Sequence, residues 1–239
     1  TTTVAGVEVP VAAKSEADPR KRAEIRTDLA SSYYRDGRLG VALEEAQRAV
    51  QSDSRYAPAH GLLGLIYMEI GDRSEAEASF ARALRLEPEN SGILNNYGWF
   101  LCQSGRERES VEYFQRAAAN RLYATPALAM RNAGVCLLKI NDVEGGERAL
   151  RRALELDASD PVTKFELARM YLRRNQPERA TRYCHRSGSR SSRYISRGGP
   201  ARMADSSRSC DSGVNRPPCC TSKASSSPVL FLASSKRSP

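Results

Sequence analysis

The chain has 239 residues, with 37 Lys and Arg against 28 Asp and Glu for a net charge of +9, and 40% of it is hydrophobic. That composition suits one elongated domain with a core of its own. No apolar run approaches the roughly 20 residues needed to cross a bilayer, so the chain is soluble or tethered from one end.

Thr1 stands where a start Met would, which points to a processed or incomplete beginning, and nothing about targeting is read from it. Residues 1–22 hold three successive Thr, two Pro and mixed charge without helical periodicity, and are expected to form a short tether.

From residue 23 a small residue followed three places later by Tyr or Leu recurs as Ala30/Tyr33, Gly64/Tyr67, Gly98/Leu101, Gly134/Leu137 and Ala168/Tyr171, at spacings of 34, 34, 36 and 34. Seven residues after each small residue stands Gly37, Gly71, Gly105, Asn141 or Asn175, where a left-handed residue would end a helix. Further on come a second small residue (Ala42, Ala76, Ser110, Gly146, Ala180), a contact residue (Ala46, Phe80, Phe114, Leu150, Cys184) and an Ala in the first four repeats (Ala49, Ala83, Ala117, Ala153). Each repeat is therefore a hairpin of helix A and helix B. Small residues let the two helices approach, and large ones fill the space between hairpins.

This order at a period of 34 is the tetratricopeptide pattern. The repeats occupy 23–56, 57–90, 91–126 (with two inserted residues), 127–160 and 161–186. The expected fold is all-α: a right-handed superhelical solenoid of about five hairpins, the last incomplete, followed by a disordered tail. Thr125-Pro126 and Asp160-Pro161 place a capping side chain before a proline, and Gln176-Pro177 restarts a helix after Asn175.

Residues 187–239 are a different kind of sequence: 16 Ser in 53 residues, no Glu, and nine Lys and Arg against two Asp. This segment carries +7 of the chain's +9. It reads as a basic tail for nucleic acid or anionic surfaces, as an inert linker, or as an altered reading frame. The last is favoured, because the change falls inside helix B of the fifth repeat, where a solenoid needs a complete hairpin with a polar outer face.

Chemistry-bearing motifs are absent. The six Cys include no C-x-x-C pair and only His60 and His185 are available beside them, so neither a metal site nor a disulfide framework is expected. Cys102, Cys136 and Cys184 fall in repeat helices, where a buried thiol serves as a small apolar side chain. There is no nucleophile elbow, phosphate-binding glycine loop or H-E-x-x-H, so neither an enzyme nor a cofactor is expected.

Binding remains, and the repeat register names residues for it. In stacked hairpins of this type the second, fifth, ninth, twelfth and thirteenth places of each A helix point into the concave groove. Those places hold Leu65 and Met68; Asn95, Trp99 and Gln103; Leu128, Arg131, Val135, Leu138 and Lys139; and Phe165, Arg169, Leu172 and Arg173. Trp99, Leu138 and Phe165 form the expected apolar strip, with Arg131 and Arg169 nearer the rim. Trp99 is the chain's one Trp and no packing place in its helix needs it, so it is the expected anchor. A carboxylate clamp is disfavoured, because the repeat before Asn96 supplies Gly61 and Leu65. An apolar or amphipathic segment is the expected ligand.

The run Leu94-Asn95-Asn96-Tyr97-Gly98-Trp99-Phe100-Leu101, followed by Asn120-Arg121-Leu122-Tyr123, two inserted residues and Asn132-Ala133-Gly134, resembles the type IV pilus biogenesis and stability lipoproteins, the tetratricopeptide pilotins of Gram-negative bacteria. The resemblance covers about residues 20–186. It implies an assembly factor at the periplasmic face of the outer membrane that helps the secretin localise or assemble. It also implies six hairpins and an N-terminal lipidated Cys as the only membrane contact, whereas here neither that Cys nor a sixth hairpin is found. The partner it implies is the secretin or another pilus assembly protein, without nucleic acid. The alternatives are a generic repeat adaptor binding an apolar or amphipathic segment in another pathway, and a nucleic-acid-associated protein acting through its tail.

Overall fold

A computed structural model describes residues 18–183. The Ser/Arg-rich segment and its reading-frame question, together with Cys184 and most of the tether, lie outside the described residues. Every regular element within them is a helix. The chain divides into two compact units, whose described parts are residues 18–105 and 106–183.

The first unit contains α1 (Pro19–Arg35), α2 (Leu39–Ser52), α3 (Ala57–Ile70), α4 (Arg73–Leu86) and α5 (Ser91–Gln103). Helix α1 starts four residues before the repeat boundary at 23. Asp18 accepts a hydrogen bond from the Arg20 N–H and Pro19 occupies the first turn, so the tether's last residues are helical. α1 and α2 pack against each other through Ala30, Ala42 and Ala46, and α3 adds Leu62, Leu63 and Ile66 to the same cluster. At the α3/α4 crossing a Cβ on Gly64 would lie 2.8 Å from the Phe80 ring, so the helix spacing excludes any side chain there. Phe80 then meets Tyr97 and Phe100 of α5 at centroid distances of 5.7 and 5.6 Å, joining successive hairpins. Cys102 on α5 is buried and disulfide-bonded, against the expectation of a free thiol. Disulfides follow tertiary proximity, which the spacing of Cys along the chain does not reveal.

The second unit contains α6 (Glu107–Ala119), α7 (Pro126–Lys139), α8 (Val143–Leu156), α9 (Pro161–Arg173) and α10 (Pro177–Thr181). α7 and α8 cross on a pair of glycines: a Cβ on Gly134 would lie 2.6 Å from Leu150 Cγ, and one on Gly146 2.7 Å from Leu138. The inserted residues form the loop between α6 and α7, where Asn120 Oδ1 accepts from the Leu122 N–H at 2.9 Å and Leu122 is 94% exposed. Cys136 on α7 is fully buried and also disulfide-bonded. Asp160 caps α9 through the Val162 N–H, whereas Thr125 makes no capping bond to α7.

The fifth repeat packs as a helical hairpin as far as it is described. Ala180 is buried, Tyr183 stacks on Tyr171 at 5.8 Å, and Arg179 lies over the Tyr171 ring at 4.4 Å. Glu147 of α8 gathers this end: its carboxylate accepts from the Tyr171 hydroxyl at 2.7 Å and pairs with Arg151 at 2.7 Å and Arg179 at 3.0 Å. All five residues expected at hairpin ends in the left-handed region have positive φ: Gly37 (74°), Gly71 (93°), Gly105 (84°), Asn141 (62°) and Asn175 (54°).

Candidate functional site

The candidate surface is the face of the A helices that the repeat register singles out. In the first unit it is carried by α1, α3 and α5. Met68 and Trp99 are half-buried there, each offering part of its side chain. Leu65 and Asn95 are fully buried. Leu65 borders a cavity of about 30 Å³ together with Thr27, Ser31, Gly61, Gly92 and Asn96, a space that holds about one water. Asn95 donates from Nδ2 to Asn96 Oδ1 at 3.3 Å. Of the four residues that the register names here, Leu65 and Asn95 therefore support the wall and expose none of it.

Thr27 and Ser31 line that cavity and were not singled out from the sequence. They occupy the fifth and ninth places of the first repeat, so the same register extended one repeat earlier yields them.

In the second unit the face is carried by α7 and α9. Val135, Phe165 and Arg169 are half-buried, and the Arg169 guanidinium lies 6.0 Å from the Phe165 ring centroid. Arg131, expected near the rim, is instead buried: its side chain is 9% exposed and pairs with Asp160 at 2.9 Å. Asp160 Oδ2 also accepts from the Thr163 hydroxyl, so one carboxylate caps α9 and straps it to α7. Burial alone would raise the Asp160 pKa. The hydrogen bond from Thr163 and the Arg131 charge outweigh it and hold the carboxyl below its ordinary value. Leu138 does not join a strip with Phe165. It lies across Gly146 at the α7/α8 crossing and packs against the cluster of Leu150, Leu167 and Met170.

Glu166 occupies the sixth place of its repeat, outside the places that the register names for this face. It is 7% exposed and pairs with Arg169. Burial pushes its carboxyl above the ordinary value, although Arg169, Arg173 and Arg131 pull it down. The pair fixes the guanidinium of Arg169 near Phe165, giving a surface with an aromatic plane and a held cation. Such a surface can bind a partner by shape and charge. It assembles no nucleophile with a base.

The fold has known relatives. The tetratricopeptide repeat family matches residues 27–90, 62–127 and 101–161. The type IV pilus assembly protein PilF of Pseudomonas aeruginosa is 23% identical over 178 residues, which cover 74% of this chain and 70% of that protein. The crystal structure of PilW, a widely conserved type IV pilus biogenesis factor, is similar with 34% identity and a TM-score of 0.64, covering 68% of this chain and 74% of PilW. The solved structure of Pseudomonas aeruginosa PilF has 22% identity and a TM-score of 0.65, covering 70% and 75% of the two chains, a likeness of fold.

Proposed function

Since this chain belongs to the tetratricopeptide-repeat proteins of type IV pilus biogenesis, we propose that it is a non-enzymatic protein-interaction scaffold that assists the outer-membrane secretin to localise or assemble. The observation that carries the reading is the 34% identity to PilW across 68% of the chain. The partner is held on the A-helix faces. Met68 and Trp99 contribute in the first unit, and Val135, Phe165 and Arg169 in the second, because these side chains offer accessible surface. Leu65, Asn95, Arg131 and Leu138 act behind them by keeping the helices in place.

Disulfide-bonded Cys102 and Cys136 favour an oxidising compartment such as the periplasm. A lipid anchor ahead of the tether would hold the protein at the outer membrane, as in the family it resembles.

The test is capture of purified secretin by the full chain, measured beside a thermal melt of each variant. Trp99→Ala and Phe165→Ala are expected to weaken capture at least tenfold while melting close to the parent, since an interface anchor contributes more to binding than to stability. Unchanged capture by both variants removes this face from the mechanism. No capture by the parent chain removes the secretin and leaves a repeat adaptor of another pathway.

A further inference from the structure

Helix α9 packs one side into the core through Leu167, Met170 and Tyr171 and leaves another open to solvent. Val162, Phe165, Arg169, Leu172 and Arg173 follow one another at steps of three, four, three and one, which keeps them within roughly a third of the helix circumference. Val162 and Leu172 are 36 and 40% exposed, Phe165 and Arg169 are half-buried, and Arg173 is exposed. From Val162 to Leu172 the stripe runs about 15 Å, close to three helical turns.

The charges on this face do not balance. Arg131 is paired with Asp160 and Arg169 with Glu166, and both carboxylates turn inward, with 11 and 9% of their side chains exposed. Arg173 is the third guanidinium. It acts on the Glu166 carboxyl from a distance, and among the described residues it has no carboxylate of its own in contact. With its acids engaged inside and a cation left outside, the stripe is complementary to an apolar surface that carries negative charge.

Backbone hydrogen bonding decides the conformation of what lies there. An extended segment brings N–H and C=O groups at every residue and needs a strand edge or unused acceptors to receive them. Every regular element among the described residues is a helix, and Asp160 and Glu166 are already engaged. A helical segment arrives with its backbone bonded internally and needs only apolar contact along one face and a partner for its charge.

We propose, on the reading that the partner is held on the A-helix faces, that α9 takes an amphipathic helix about three turns long, with apolar residues against Val162, Phe165 and Leu172 and a carboxylate against Arg173.

The test uses the full chain and two labelled, end-capped Ala-based helical peptides, each with Leu at i, i+3 and i+7, the Leu stripe flanked at both ends by Glu in one peptide and by Lys in the other. Fluorescence anisotropy should show the Glu peptide bound about fivefold more tightly, a preference that shrinks at high salt. Arg173→Glu should reverse the preference, and Leu172→Ser should weaken both peptides about threefold, with melting midpoints close to the parent's in both variants. No binding of either peptide, equal binding of the two, a preference that survives Arg173→Glu, or equally tight binding of a proline-interrupted Glu peptide overturns the proposal. So does a concentration-dependent dimer, or binding to phosphatidylglycerol vesicles, that Arg173→Glu abolishes, since the face then belongs to a second copy or to a membrane. No secretin enters this assay, so its failure is separate from a failure of secretin capture.

Discussion

Replacing Gly134 with Ala isolates the helix crossing from every other source of stability. In an open helix the change stabilises by up to about 1 kcal/mol, because Gly loses more backbone freedom on folding than Ala does. Here the new Cβ would lie 2.6 Å from Leu150 Cγ, 2.9 Å from its Cδ2 and 3.1 Å from the carbonyl oxygen of Gly146. Carbon atoms in contact prefer about 3.5–4.0 Å, so Leu150 must retreat by about 1 Å. It has nowhere to go: it is fully buried among Leu167, Ala168, Met170 and Tyr171, and the Gly146 oxygen is main chain. Overpacking of this kind costs about 1–3 kcal/mol and outweighs the propensity gain. The expected outcome is a net loss of about 1–2 kcal/mol, read as a lower urea midpoint at unchanged slope. Gly40 on α2 is the control, because a Cβ there meets nothing within 4 Å. Gly40→Ala should raise the midpoint. If Gly134→Ala raises it too, the close approach of α7 and α8 is not what demands the glycine, and the argument is wrong.

Arg131→Ala should cost about 2 kcal/mol in urea unfolding, since it leaves the half-buried carboxylate of Asp160 without its charged partner; a midpoint within error of the parent would put Arg131 back on the candidate surface. Asp160 has its pKa lowered in the folded state, so its contribution is complete above the unfolded value near 3.9 and fades as pH falls through the lower folded value. The stability gap between the parent and Asp160→Asn should therefore be flat near neutrality and close below about pH 4; a gap that opens with acid refutes the sign. Glu147→Ala should increase amide hydrogen exchange in residues 177–183 more than in α7, because Arg179 and the Tyr171 hydroxyl lose a shared acceptor.

Hairpin ends and helix crossings were readable from the chain because both are steric demands on single residues. A left-handed residue restricts its own identity, and Gly64, Gly134 and Gly146 sit where a side chain has no room. Asp18-Pro19 carries the same start signal as Asp160-Pro161 and was readable too, but the surrounding composition pointed to a tether. The candidate face was readable only as a direction. Register gives the angle at which Leu138 leaves α7, yet Gly146 opposite leaves a hollow, and Leu138 fills it. Arg131 likewise leaves its helix toward the face and is then drawn to Asp160, 29 residues away. Volume and charge on the neighbouring helix decide those outcomes, and neither is written in one helix's own periodicity. The disulfide-bonded state of Cys102 and Cys136 depends on the same kind of information.

The half-buried position of Trp99 makes it an optical probe as well as a candidate anchor. It is the chain's one indole, beside ten tyrosines that excite at similar wavelengths, so emission above 340 nm reports on a single place in the fold. A segment laid against α5 removes water from that ring and shifts its emission to the blue. Partner occupancy is then measured on the unlabelled protein by titration, and the same signal followed in urea reports when the first unit opens.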